Sequence, residues 1–240
     1  MRKVVAALAA LAAIVLVVAA VVLSQGPSGA KGGVRAEYKV VPADGKAPSA
    51  QVLADIRAIV ERRAIASGIE KPTVAATSPD RILLDLPGLS HADSSGRLVE
   101  PIGDLAFVPL GQGRFLEGQR LDVSAYPQLL GGQEVQSIVV RRDNGYALVA
   151  VELTALGRQR LAEWTAIHVG DSLGIVLDGT VVSAPQIQTP IPSGELLLTF
   201  GQDDPFTLER ARAFVAVVSS GPLPMPLVEV SSQVVATFGA

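Results

Sequence analysis

Asp178, Ser183, the neighbours Asp203 and Asp204, and the two histidines His91 and His168 are the residues whose types could support catalysis or metal binding. A nucleophilic serine needs a general base beside it and a strained G-x-S-x-G elbow to present its hydroxyl. Ser183-Ala184-Pro185 has no such elbow, and with so few histidines in the chain it reads as a strand end. Paired carboxylates working as acid and base need a cleft that drives their pKa values apart. Asp204 stands directly before Pro205 and is accounted for as a helix N-cap, with proline suited to the first helical turn. His91 falls in a polar loop and His168 at the end of a helix, where a cation suits the dipole; neither has a ligand partner at metal spacing. Asp178 precedes Gly179 in GIVLDGTVVSAPQIQTPI, residues 174–191, between two short apolar runs. A two-residue hairpin turn prefers Asp-Gly, so a hairpin tip is the first reading of Asp178 and a carboxylate contact to a partner the second. No catalytic residue, metal site or cofactor is expected, and the protein is not read as an enzyme.

The composition narrows the class further. The formal net charge is −3 and the pI about 5.4, with no basic run interleaved with aromatics, so nucleic acid is excluded as an expected partner. The absence of cysteine removes disulfides, thiolate nucleophiles and the commonest zinc sites. Behind Arg2-Lys3 runs an uninterrupted apolar stretch over residues 4–23. It would make roughly 30 Å of helix, the thickness of a bilayer core. No small-x-small cleavage site follows it, so a membrane anchor is expected in preference to a signal peptide. Positive charge ahead of the span puts the N-terminus in the cytoplasm and the rest outside, as a single-pass protein.

The elements that must position these residues are legible from periodicity. After a Gly/Ser/Pro linker over 25–33, residues 34–41 alternate apolar and charged as a half-buried strand does. Pro48-Ser49 opens a helix with Leu53, Ile56 and Val60 on one face and Gly68 as its stop. Strands follow at 72–76 and 81–86, then a polar loop over 89–104 and a short apolar strand over 105–110. Residues 135–142 and 146–153 flank Asp143-Asn144-Gly145, a hairpin signal. A helix capped by Thr154 carries Leu161 and Trp164 inward, and the hairpin 173–177/181–183 and a strand over 195–200 complete the middle. A last helix from Pro205, with Ala211, Phe214, Val215 and Val218 as its stripe, leads to a closing strand over 227–235. Removing 119–203 leaves a split βαβ arrangement, so the expected fold is α+β: a ferredoxin-like base carrying an inserted α+β head. The expected divisions are an anchor over 1–24, a linker over 25–33, a base over 34–118 and 204–240, and a head over 119–203.

The strings AIHVGDSLGIVLDGTVVSAPQIQTPI, SPDRILLDLPG, GGQEVQSIVV and GPLPMPLVEV together resemble the first periplasmic domain of SecD, of the SecDF protein-export family. The most specific piece is VLDG-x-V-x-SAP, carried by Leu177, Asp178, Gly179, Ser183, Ala184 and Pro185. The resemblance implies a membrane-tethered domain whose head contacts unfolded, translocating polypeptide and works beside Sec translocon subunits. In that family proton-driven work depends on downstream membrane helices, and through Ala240 none is present. Ala30-Lys31 also departs from the usual family pattern, so a chain that binds without pumping is expected, with an unrelated envelope scaffold or regulatory module as the alternative. Unspecific gripping of a chain calls for an apolar groove and open strand edges. Its candidate lining is Val181, Val182, Pro185 and Ile187.

Overall fold

The computed structural model describes residues 30–42, 45–92 and 94–238. The expected anchor over 4–23 lies outside the described residues, among which no helix is long and apolar enough to cross a membrane.

Strand β1 (Ala30–Val40) buries Val34, Ala36, Tyr38 and Val40 and turns Arg35, Glu37 and Lys39 to the other face, as the alternation predicts. It begins inside the expected linker. A side chain at Gly32 would meet the Ala236 carbonyl at 2.6 Å, and one at Gly33 would collide with the Leu86 carbonyl, so these glycines permit close backbone approach. Helix α1 (Ala50–Ala66) is capped by Ser49, whose hydroxyl accepts from Val52 N–H at 3.2 Å. Strands β2 (Thr73–Ser78) and β3 (Arg81–Pro87) follow, and a short helix α2 (Ser94–Val99) forms where a loop was expected. Its sequence SSGRLV has no apolar period; it is held by burial of Leu98 and Val99 and by Ser95 Oγ, 3.1 Å from the Tyr38 hydroxyl. With the closing strand β11 (Leu227–Phe238) these make an antiparallel sheet of order β11-β1-β3-β2. Its core holds Tyr38, Ile56 and Leu84.

Strand β4 (Leu105–Gly111) was expected as a spare strand of the base. It pairs instead with β8 (Ser172–Leu177), from Leu105↔Leu177 to Gly111↔Ser172. The reason lies in its two apolar faces: Leu105 and Phe107 enter one core, Ala106 and Val108 another. The first sheet offers helices on one face only and charged Arg35, Glu37 and Lys39 on the other, so it could not cover both faces of such a strand. With β5 (Leu130–Gly131) and β9 (Thr180–Ser183) the second sheet has order β5-β4-β8-β9. The third sheet, β10-β7-β6, joins the hairpin β6 (Val135–Asp143) and β7 (Tyr146–Leu153) to β10 (Glu195–Gln202). Its tip is Asn144-Gly145, both with positive φ, as that turn requires. Helix α3 (Ala155–Ile167) starts at Thr154, whose hydroxyl accepts from Gly157 N–H, and buries Leu161. Helix α4 (Pro205–Ser220) sends Ala213 and Ala216 into the first core and Ala211 and Phe214 into the second.

Candidate functional site

Asp178 and Gly179, at φ 51° and 73°, form the left-handed pair that joins β8 to β9. The hairpin reading holds, and the carboxylate does more than turn the chain. Its oxygens accept from Gly103 N–H at 3.0 and 3.2 Å and from Asp104 N–H at 2.8 Å, while Asp178 N–H donates to the Asp104 carbonyl at 2.9 Å. Beyond that backbone lies Arg63, fully buried in α1. Its guanidinium donates to the carbonyls of Leu98, Pro101, Ile102 and Gly221 at 3.1, 2.6, 2.8 and 3.1 Å. Burial pushes Arg63 down to about 10, and the charge of Asp178 opposes the shift, so the guanidinium is charged at neutral pH. The sequence signal for Arg63 is its spacing from Ile56, Ile59 and Val60, which places it on the buried stripe of its own helix.

Beside this hairpin lies an open groove of about 640 Å³. It is lined by Leu177, Thr180, Val181 and Val182 of the hairpin with Phe200, by Ala213, Phe214 and Val217 of α4, and by Pro101 and Arg97. Its charges are matched: Arg210 donates to Glu117 at 2.7 Å, and Arg97 lies 3.9 Å from Glu209. The result is an apolar trough whose nearby ion pairs leave little net charge to select a ligand.

The four residues expected to line such a groove separate in the fold. Val182 is half-buried and lines it, and Pro185 is exposed. Val181 is 1% exposed and packs with Val108 and Val176, while Ile187 is 3% exposed in the larger core. Val181 also borders the groove but offers it little surface, because alternation along β9 turns it inward when Val182 faces out, and Ile187 lies outside the lining. The edge of β9 is not open either. Gly118 N–H donates to the Val181 carbonyl at 2.8 Å and Val181 N–H to the Gln119 carbonyl at 2.9 Å. Within the family motif, Ser183 pairs with Ile175 and Ala184 packs against the small core.

The remaining candidates have structural partners. Asp204 accepts from Thr207 N–H at 3.1 Å and from the Thr207 hydroxyl at 2.7 Å, capping α4, and Asp203 pairs with Arg142 at 3.2 Å. The His168 ring stacks on Trp164, centroids 4.6 Å apart, with Nδ1 2.8 Å from the Trp164 carbonyl. Among the described residues no group of three or more His, Asp or Glu could hold a metal ion.

An antiparallel α+β protein whose sheets come in separately cored units, with a groove between an inserted hairpin and a shared helix, is the class these features define. Residues 113–225 match the family model described as SecDF, P1 head subdomain. The SecD translocase subunit of Rhodobacter capsulatus is 28% identical over 204 residues, which is 78% of this chain and 36% of that relative. A crystal structure of SecDF in a super-membrane-facing form superposes with a TM-score of 0.65 at 25% identity, over 88% of this chain and 31% of that one. A structure of SecDF described as a membrane component that enhances protein export gives 0.58 at 26% identity, over 84% of this chain and 100% of that one. The chain is thus similar over most of its length to SecD and SecDF proteins, and it spans little more than a third of the Rhodobacter relative.

Proposed function

We propose that this chain serves Sec protein translocation as an extracytoplasmic accessory anchored through residues 4–23, and that it holds translocating polypeptide in the groove between the 174–183 hairpin and α4. The observation that carries the reading is the groove itself. Leu177, Val182, Phe200 and Phe214 give it an apolar lining, and the neighbouring ion pairs leave no charge preference, as a site for chains of varied sequence requires. The relatives matched are translocase subunits, which favours this reading over an unrelated scaffold or regulatory module. Sec translocon subunits are the proposed partners. The strand order β11-β1-β3-β2, with α1 after the first strand and α4 before the last, supports a ferredoxin-like base. The proposed head is then the inserted region between base strand β3 and helix α4 that carries the second and third sheets, β4 included.

The test places a photo-crosslinking amino acid at Val182 or Pro185, with exposed Glu61 of α1 as the control, in membranes engaged in export. Val182 is expected to trap the exporting chain well above the Glu61 level. Equal labelling at the two sites would refute the groove as the contact surface.

A further inference from the structure

The first sheet and the inserted unit keep separate apolar cores, one around Tyr38, Ile56 and Leu84, the other around Phe107, Leu161 and Ile175. Among the described residues only α4 contributes to both. Helix packing of that kind permits small sliding movements, because apolar contact is not directional. Hydrogen bonds are directional, and those at 101–104, where the chain passes from one unit to the other, are arranged in two opposed sets. The carbonyls of Pro101 and Ile102 face the buried guanidinium of Arg63, while the amides of Gly103 and Asp104 face the carboxylate of Asp178. The crossing backbone is thus clamped between a cation of the first unit and an anion of the second. Gly103, at φ 96°, fits there because a side chain would meet Arg63 Nη2 at 2.8 Å and the Gly221 carbonyl at 3.3 Å. The turn alone does not call for this acid, since Asn-Gly serves a type I′ hairpin as well as Asp-Gly. The negative charge answers to Gly103, Asp104 and Arg63.

We propose that Asp178, acting with Arg63 through the 101–104 backbone, is the positioning residue that sets the angle of the inserted head on the base. The groove has Pro101 and Arg97 on the base side and Leu177 and Val182 on the head side, so the same clamp sets its width. That last consequence rests on the proposed function; the angle does not.

The chain has no cysteine, so spin labels at Glu61→Cys on α1 and Ala166→Cys on α3 report the base-to-head distance in the full chain by double electron–electron resonance. Asp178→Ala removes every side-chain acceptor, and Asp178→Asn keeps the turn and one acceptor oxygen but removes the charge. Asp178→Ala is expected to shift or broaden the distance distribution beyond the spread of the labels, with Asp178→Asn intermediate. The emission of Trp164, the sole tryptophan and a residue of the head, reports head integrity in the unlabelled variants and is expected to stay native. A distribution in Asp178→Ala that superposes on the wild type would overturn the proposal. So would a change that appears only together with loss of native Trp164 emission, which would make Asp178 a folding residue of the head. The distance needs no bound polypeptide, so its outcome is separable from the crosslinking test.

Discussion

Replacing Arg63 with methionine tests whether one buried cation organises the passage between the two units. Methionine keeps the length and helix propensity of arginine without its donors. Three carbonyls lose their partner, Leu98 fully buried and Pro101 and Gly221 partly so, while Ile102 keeps its bond from Leu223 N–H at 2.7 Å. A buried acceptor left unpaired costs about 1–3 kcal/mol, and the part-buried ones recover some of that by bonding water. Against this, the variant no longer desolvates a guanidinium, a penalty already visible in the downward pKa shift of Arg63. The balance is a loss of about 2–4 kcal/mol, which for a chain of this size lowers the melting temperature by about 5–15 °C. Lysine should not restore it. Arg63 uses Nη1 for Leu98 and Pro101 and Nη2 for Ile102 and Gly221, and a single ammonium cannot serve both pairs. Urea unfolding of the full chain in detergent, followed by far-ultraviolet circular dichroism, measures the difference directly. A loss below about 1 kcal/mol for Arg63→Met would show that the orphaned carbonyls find other partners and that the clamp does not depend on Arg63.

Two further substitutions probe other contacts. Tyr38 is fully buried, its hydroxyl 3.1 Å from Ser95 Oγ and 3.2 Å from Glu229 Oε2, and burial pushes its phenol up. The unfolded chain ionises this group near pH 10 while the folded one resists, so its contribution is present below about pH 10 and falls above it by about 1.4 kcal/mol per pH unit. The lowered pKa of Arg63 acts in the opposite sense at alkaline pH, so the readout is the stability difference between wild type and Tyr38→Phe. A difference that stays flat from about pH 8 to 11.5 would contradict the shift. Gly157→Ala should raise helix propensity by about 1 kcal/mol yet destabilise the protein. The new Cβ would lie 2.9 Å from Glu134 Cβ and 3.1 Å from its carbonyl, and overpacking of this kind costs about 1–3 kcal/mol. An unchanged or raised melting temperature would show that the α3–Glu134 contact yields freely.

What the residues determined alone is what depends on a few neighbours in the chain. Alternation in 34–40 defined the buried face of β1, and the glycines after Asn144 and Asp178 defined two hairpin tips. Ser49, Thr154 and Asp204 marked three helix starts, since a cap bonds to an amide only three positions away. Tertiary structure decided everything that depends on a distant partner. The sequence of β4 shows that it is apolar on both faces, but only the packed structure places it beside β8, where cover exists on both sides. Gly32 and Gly33 look like linker and serve as close-contact positions in β1 because β11 and β3 press on their backbone. Val181 and Val182 are equivalent by composition and both border the groove, yet one is buried and the other half-exposed, a difference set by which sheet face meets Val108 and Val176. Asp178 carried its turn in its own dipeptide, while its bonds to Gly103 and Asp104 arise only when a segment about 75 residues earlier is folded against it, because hydrogen bonds between remote groups are chosen by packing and not by sequence spacing.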